Sequence, residues 1–326
     1  MNELVALKAV NKGLHISWAI TYMCTHKCSY CPEILHSGQR PDWLTNDIVE
    51  NFFKQIVRHY GSKVQISFAG GEPTVLKNFI DIIDLSNKYF NYGSGMTTNL
   101  SRSVRYWEDN AGKFKWIAMS FHPEFAEVDE FLEKAKAVSK QTRGIIRVMM
   151  HPNYWDKSMA LIDKFKNDES IICNLEVVFP QDDFAIGTKF VDLNFTDEQI
   201  KFMHEFKFIC RYTIQDPNEF YLGIKTVYNN GNDLEEKFGD VNDLVNKRLT
   251  KFKDWVCYIG LEELHISMEG FLNRGNCWVE GIFGNVKDDN IIFPKLPIIC
   301  NKEFCHCTTD IFVTKFNPKK INIQKL

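Results

Sequence analysis

The stretch "TYMCTHKCSYCPE", Thr21 to Glu33, places Cys24, Cys28 and Cys31 within eight residues, spaced C-x3-C-x2-C. Three thiolates cannot close a tetrahedral zinc site alone, but they can hold three irons of a [4Fe–4S] cube and leave the fourth iron open to an outside ligand. A zinc reading requires a fourth ligand nearby, which His26 or His36 would supply. The run just before the cysteines, "HISWAIT" (His15 to Thr21), is β-rich, so the thiols stand in a loop that follows a strand.

Outward from that loop, short β-rich runs alternate with amphipathic helical stretches. The further strand candidates are "VQISF" (Val64 to Phe68), "GSGMTT" (Gly93 to Thr98), "WIAMSF" (Trp116 to Phe121), "IIRVMM" (Ile145 to Met150) and "ICNLEVV" (Ile172 to Val178). Between them, Ile48, Phe52 and Ile56 recur at helical spacing after the caps Thr45 and Asn46, and Val128, Phe131, Leu132, Ala135 and Val138 do the same. Such alternation predicts β-α units around a parallel sheet, with each apolar stripe covering one side of it. After Pro180 the rhythm changes. "TDEQ" (Thr196 to Gln199) has the capping-box pattern that opens a helix through Ile200, Met203 and Phe206. The polar stretch from Tyr228 to Asp243 reads as loop or solvated surface before a last segment begins near Trp255.

Immediately after the second strand stands "GGEP" (Gly70, Gly71, Glu72, Pro73). Paired glycines open the backbone to close approach by a ligand, and Glu72 offers a carboxylate to an amino group. Alone, this would be an ordinary tight turn between strand and helix. With C-x3-C-x2-C after strand one and GGEP after strand two, the chain from about Ile16 to Val178 resembles the radical S-adenosylmethionine (radical SAM) superfamily. The resemblance implies an α/β fold, a partial (β/α)6 TIM-like barrel of the radical SAM type. It makes Cys24, Cys28 and Cys31 the cluster ligands, with the amino and carboxylate groups of SAM chelating the open iron. Tyr30 would lie against the adenine, and Gly70, Gly71, Glu72 and Pro73 would contact the methionine amino group. Thr98, Asn99 and Ser120 occupy places where family members bind ribose or methionine carboxylate. Many relatives carry an Asp shortly after the serine, whereas this chain reads Ser120-Phe121-His122-Pro123-Glu124. Arg147, inside a strand, either faces the SAM carboxylate or ion-pairs elsewhere. His122, Glu124, His151, Glu176 and Asp182 fall near strand ends, where they either meet substrate or serve as ordinary surface or capping residues, and no catalytic acid or base is assigned.

A second group of thiols, Cys257, Cys277, Cys300, Cys305 and Cys307, lies among short β-like runs and glycines in the last quarter. It resembles the SPASM and Twitch extensions, which carry auxiliary iron–sulfur clusters in many radical SAM enzymes. Five cysteines are too few for two cysteine-ligated clusters, so one auxiliary [4Fe–4S] cluster is expected, on Cys257, Cys277 and two of the other three. Structural zinc tolerates the same four-cysteine set. Cys173 and Cys210 stand alone and are read as small buried hydrophobes. The expected organisation is a radical SAM core over residues 1–185, a helical connecting region over 186–254 and a small cysteine-rich α+β subdomain over 255–326.

With 326 residues, 44% of them hydrophobic, the chain can bury a sizeable core. A formal charge of −3 supplies no general basic field for nucleic acid. No secretory signal or membrane-spanning apolar run is present, which predicts a cytoplasmic protein. Ten cysteines in a reducing compartment argue for metal or redox chemistry rather than disulfides. The reading that follows is an enzyme, an oxidoreductase, isomerase or carbon-bond-forming catalyst. It would cleave SAM reductively and use the 5′-deoxyadenosyl radical to take hydrogen from a small molecule or peptide, with an electron donor such as flavodoxin or ferredoxin as partner. Met1 to Leu14 is too short for a leader-recognition domain, which favours a small molecule or a peptide presented by a separate partner. The competing class is a non-catalytic iron–sulfur or zinc scaffold.

Overall fold

The structure, a computed structural model, describes residues 3–10, 13–178, 193–212, 222–230, 233–239, 241–305 and 307–321. In chain order the strands are β1 (Glu3–Ala9), β2 (Leu14–Thr21), β3 (Val64–Gly70), β4 (Ser94–Thr98), β5 (Trp116–Phe121), β6 (Arg143–Met149), β7 (Cys173–Val178), β8 (Ile224–Asn229), β9 (Leu234–Gly239), β10 (Val256–Cys257), β11 (Glu263–Ile266), β12 (Phe271–Asn273), β13 (Ile282–Asn285), β14 (Ile298–Ile299) and β15 (Lys315–Phe316). The α-helices are α1 (Asn46–Tyr60), α2 (Phe79–Tyr89), α3 (Val104–Asn110), α4 (Val128–Ser139), α5 (Trp155–Asn167), α6 (Asp197–Glu205), α7 (Val241–Asn246) and α8 (Thr308–Ile311).

Period-two alternation divides β2 into two faces. Ile16, Trp18 and Ile20 join the main core, and the Trp18 ring meets Phe52 of α1 at 6.0 Å. His15, Ser17, Ala19 and Thr21 point to the opposite face. Helix α1 forms where expected, because Thr45 accepts the Ile48 N–H at its N-cap and Val49, Phe52, Phe53 and Ile56 face inward. Helices α2 to α5 repeat the pattern between successive strands. The result is an open nine-stranded sheet, ordered β13-β12-β11-β2-β3-β4-β5-β6-β7, in which β11 and β2 to β7 run parallel. Parallel strands linked by crossover helices gather their C-terminal ends along one edge, and the loops after β2 to β6 discussed below leave from that edge.

A second, six-stranded sheet has the order β14-β10-β15-β1-β8-β9. The sheets do not divide the chain at residues 185 and 254. Strand β1 pairs with β8 and β15, while the segment after Trp255 sends β11, β12 and β13 to the first sheet and β10, β14 and β15 to the second. The stretch Tyr228 to Asp243, expected to be loop or solvated surface, is largely exposed but ordered as strand β9 and the start of α7. Its polar composition misleads because β9 is an edge strand whose side chains face mostly outward. The capping box at Thr196 and Gln199 does open α6. Cys173 is a core residue, whereas Cys210 is exposed, contrary to its expected burial. Pro180 and Asp182 lie outside the described residues. Among the described residues no helix is long and apolar enough to cross a membrane.

Candidate active site

The cysteine loop leaves the end of β2 and is fastened to the loop after β3. The Gly71 N–H donates to Thr21 O and the Glu72 N–H to Met23 O, each at 2.7 Å. The two glycines permit this approach. A Cβ on Gly70 would lie 2.3 Å from Thr21 O, and one on Gly71 would lie 2.1 Å from Met23 O and 2.9 Å from Leu35 O. The glycine pair therefore admits the backbone of the cysteine loop, where the sequence suggested an outside ligand or an ordinary tight turn.

Glu72 is fully buried. Its carboxylate accepts from the Thr74 N–H and hydroxyl, from the Thr98 hydroxyl and from the Asn99 N–H at 2.7 to 3.2 Å, which joins the end of β3 to the end of β4. Burial pushes its pKa up, against the opposing pull of those donors. Pro73 is buried in the short 3-10 turn that Glu72 caps. Asn99 extends the connection, its Nδ2 donating to Thr25 Oγ1 at 3.0 Å and lying 3.7 Å from Cys24 Sγ. Thr98 and Asn99 thus reach the cysteine loop directly or through Glu72.

Cys28 is buried, while Cys24 and Cys31 are half-buried. Burial pushes the Cys28 thiol up to about 12 and the Cys31 thiol up to about 11, and raises Cys24 as well. Charge on Cys24 and Cys31 lifts Cys28 further, and charge on Cys24 lifts Cys31. Thiols raised by burial and by charge on a neighbouring thiol give up their protons together only where a cation balances them, as a bound metal would. His36 Nε2 lies 3.3 Å from Cys31 O, and His26 stacks on Phe125 at 4.9 Å. Among the described residues, no three His, Cys, Asp or Glu side chains are arranged around one metal ion.

The far side of the loop rests on Tyr30 and on three residues, His122, Glu124 and His151, to which sequence reading assigned no catalytic part. The Tyr30 hydroxyl lies 2.6 Å from His122 Nδ1, and that same nitrogen lies 3.4 Å from Cys28 Sγ. The Tyr30 and His122 rings are near parallel, with centroids 6.0 Å apart. Burial, with His26 adding to it, pulls His122 down to about 3, so its imidazole is neutral and can accept the Tyr30 O–H. Glu124 accepts from the Ser29 N–H and hydroxyl, and Ser29 Oγ lies 3.1 Å from His151 Nε2. His151 Nδ1 accepts the Asn153 N–H at 3.1 Å, which places the ring proton on Nε2 facing Ser29. His122 and Glu124 follow β5, and His151 follows β6. Their position at consecutive C-terminal strand ends was the signal available in the sequence.

Ser120 is buried near the end of β5 and registers beside Arg147, which registers beside Glu176. Arg147 Nε pairs with Glu176 at 2.6 Å, the ion-pair alternative left open by the sequence. The open sheet face between the cysteine loop and this pair carries the small residues Ala19, Ala69, Thr97 and Ala118.

In the C-terminal segment, Cys257 and Cys305 are buried, whereas Cys277, Cys300 and Cys307 are half-buried. Burial raises Cys257, Cys277 and Cys305. Charge on Cys300 raises Cys257 further, and charge on Cys257 raises both Cys277 and Cys305. The Cys307 Sγ instead meets Thr309 Oγ1 at 3.1 Å, next to the buried Asp310.

Residues 18–122 match the family model described as the Radical SAM superfamily, a span that runs from β2 to His122. That span, about a third of the chain, contains both the cysteine loop after β2 and the GGEP loop after β3. Among solved structures it is similar to "Native anSMEcpe with bound AdoMet", with 15% identity and a TM-score of 0.51, covering 84% of this chain and 78% of that one. It is also similar to "Native anSMEcpe with bound AdoMet and Cp18Cys peptide", with 14% identity and a TM-score of 0.50, covering 85% and 78%. A further match, "Crystal structure of BtrN in complex with AdoMet and 2-DOIA", has 11% identity and a TM-score of 0.39, covering 85% and 79%. At these identities the first two likenesses speak for the fold alone.

Proposed function

We propose that this chain is a radical SAM enzyme that takes hydrogen from a small-molecule or peptide substrate. The observation that carries the reading is the pair of loops at the ends of β2 and β3, where the loop bearing Cys24, Cys28 and Cys31 is clamped against GGEP by two 2.7 Å backbone hydrogen bonds. Cys24, Cys28 and Cys31 would hold a four-iron cluster, which would supply the one-electron chemistry that cleaves SAM reductively. The chain's own residues hold and orient. Glu72, Thr98 and Asn99 tie the cysteine loop to the sheet, so the carboxylate of Glu72 acts as a brace rather than as a contact to the cofactor amine. Tyr30 and His122 close the loop's far side and keep water from Cys28. Ser120, Arg147 and Glu176 offer a hydroxyl and an ion pair to the polar end of a cofactor or substrate on the open face.

The C-terminal thiols form a second metal site in this reading. Cys257, Cys277, Cys300 and Cys305 are its ligands, and Cys307 is left to Thr309. A soluble one-electron donor of the flavodoxin or ferredoxin kind serves the front site. The test is anaerobic reconstitution with iron and sulfide, followed by SAM and a reductant. The expected outcome is 5′-deoxyadenosine and methionine in equal amounts from the natural sequence and none from Cys28→Ala. Equal product from Cys28→Ala would refute the assignment, and iron loading without product from the natural sequence would favour the scaffold reading.

A further inference from the structure

Strands β11, β2 and β3 pair in parallel, with Glu263 beside His15, His15 beside Gln65 and Ser17 beside Ser67. On the face of the sheet opposite the helices, His15 Nδ1 lies 2.5 Å from Glu263 Oε2, and its Nε2 lies 2.6 Å from Ser67 Oγ. The His15 and Glu263 side chains are 2% and 1% exposed, while Ser67 is half-buried. A carboxylate facing one ring nitrogen holds the imidazole proton there, so Nδ1 donates to Glu263 and Nε2 accepts the Ser67 O–H. Gln65 lies on the same face, two residues before Ser67. The Trp116 indole N–H can only donate, and it lies 3.2 Å from Gln65 Oε1, which leaves Nε2 as the other end of the amide. That Nε2 is buried and meets no acceptor among the described residues. An unpaired buried donor is unfavourable unless a ligand supplies the acceptor. Access to Ser67 runs over small side chains. Toward the C-terminal edge, the next residues on this face are Ala19 and Ala69, of which Ala69 is exposed. Ser67 stands three residues before Gly70, roughly 10 Å deeper than the motif loops. Its neighbours in register, Ser17 and Gly95, are uncharged, and the Trp116 ring lies over Gly95, where a Cβ would come within 2.0 Å of it.

We propose that Ser67 is a base-activated nucleophile toward a small neutral acyl group, with His15 as its base, Glu263 as the residue that positions His15, and Gln65 Nε2 as a donor to the oxyanion. Ser67 Oγ forms a bond to the acyl carbon while its proton passes to His15 Nε2, and the carbonyl π electrons move onto oxygen. They return as the bond to the leaving alcohol or thiol breaks, and that group takes the proton from His15. Water then attacks in the same way and releases the acid. The activity is separate from SAM cleavage and needs neither iron nor a reductant. The plain alternative is that the three residues only fasten β11 to β2 and β3, with Glu263 protonated and donating to Nδ1 and His15 donating to an inert Ser67.

The experiment treats the full chain, reconstituted anaerobically, with diisopropyl fluorophosphate and maps the adduct by peptide mass spectrometry. Attack by Ser67 Oγ on phosphorus expels fluoride, and the adduct is expected on Ser67 of the folded chain but not of the urea-denatured one. His15→Gln should slow its formation by about 100- to 10,000-fold, the contribution of a positioned base. With p-nitrophenyl acetate, a small neutral ester, the natural sequence should show turnover that Ser67→Ala lacks. Histidine 15N resonances supply a readout of the positioning role. In the natural sequence Nδ1 of His15 should carry the proton. In Glu263→Gln the amide donates to Nδ1, which should send the proton to Nε2 and slow labelling as His15→Gln does. Absence of the Ser67 adduct from the natural sequence would overturn the proposal. So would an unchanged labelling rate in folded His15→Gln, equal ester turnover by Ser67→Ala, or a proton on Nε2 in the natural sequence. Should the buried variants not fold, the adduct and the tautomer of the natural sequence still decide.

Discussion

Gly71→Ala tests the clamp between the two motif loops. The added Cβ would lie 2.1 Å from Met23 O, against a practical minimum of 3.0 Å, and the neighbouring Leu35 O at 2.9 Å blocks escape to that side. The loops must part by about 0.9 Å, the difference between those two distances. The 2.7 Å hydrogen bonds of the Gly71 and Glu72 amides would then stretch to roughly 3.6 Å, beyond useful geometry. Losing both removes about 1 kcal/mol each, and overpacking adds about 1–3 kcal/mol, so local opening becomes easier by about 3–5 kcal/mol. Amide exchange at Gly71 and Glu72 should accelerate by about a hundredfold or more, while the central strands β3 and β4 keep their protection. Iron retention at the front site should fall with it. Wild-type exchange at those two amides, with wild-type iron content, would show that the glycines do not set the position of the cysteine loop.

Other expectations follow from single contacts. Asn99→Ala removes the bond to Thr25, and should loosen the front site, measured as faster loss of iron to a chelator, with a Tm change of only a few degrees. Burial holds His265 down at about 4, below its ordinary 6.5, so the folded state takes its proton less readily than the unfolded chain. Its contribution is complete above pH 6.5 and is lost as pH falls through about 4, a difference of about 3 kcal/mol. Urea unfolding of His265→Gln should therefore decline less between pH 7 and pH 4 than that of the natural sequence, and parallel declines would contradict the burial argument. The Arg211 guanidinium donates to the carbonyls of Phe165, Lys166, Asp168 and Ile171 and lies 4.0 Å from the Phe165 ring centroid. Arg211→Lys cannot reproduce that fork and should lower stability by about 2 kcal/mol in denaturant melts.

Much of the first sheet was legible because each β-α unit carries its signal locally. The six expected strands fall within two residues of β2 to β7, and the α1 cap sits at Thr45. Strand β1 was not legible, since its partners β8 and β15 lie more than 200 residues away and its own seven residues give only a brief alternation. The cysteine spacing and GGEP were readable for the same local reason. That Gly71 opens onto Met23, and that Glu72 reaches Thr98 and Asn99, depends on how neighbouring strand ends meet. The capping reading holds for His151, whose Nδ1 accepts the Asn153 N–H, but nothing in the neighbourhood of His122, Glu124 and His151 shows that they face Cys28, Ser29 and Tyr30. The link from Glu263 to His15 was missed likewise, for the two lie 248 residues apart in sequence and meet only through the register of β11 with β2.

The central claim is that three thiols in the loop after β2 leave one iron of a cluster open to SAM. It is tested most directly by electron paramagnetic resonance of the reduced, reconstituted protein with Cys257, Cys277, Cys300 and Cys305 replaced by Ala, so that any signal arises at the front site. Adding SAM should shift the g-values of that signal, because its amino and carboxylate groups would coordinate the open iron. A four-iron signal that stays identical with and without saturating SAM would contradict the account.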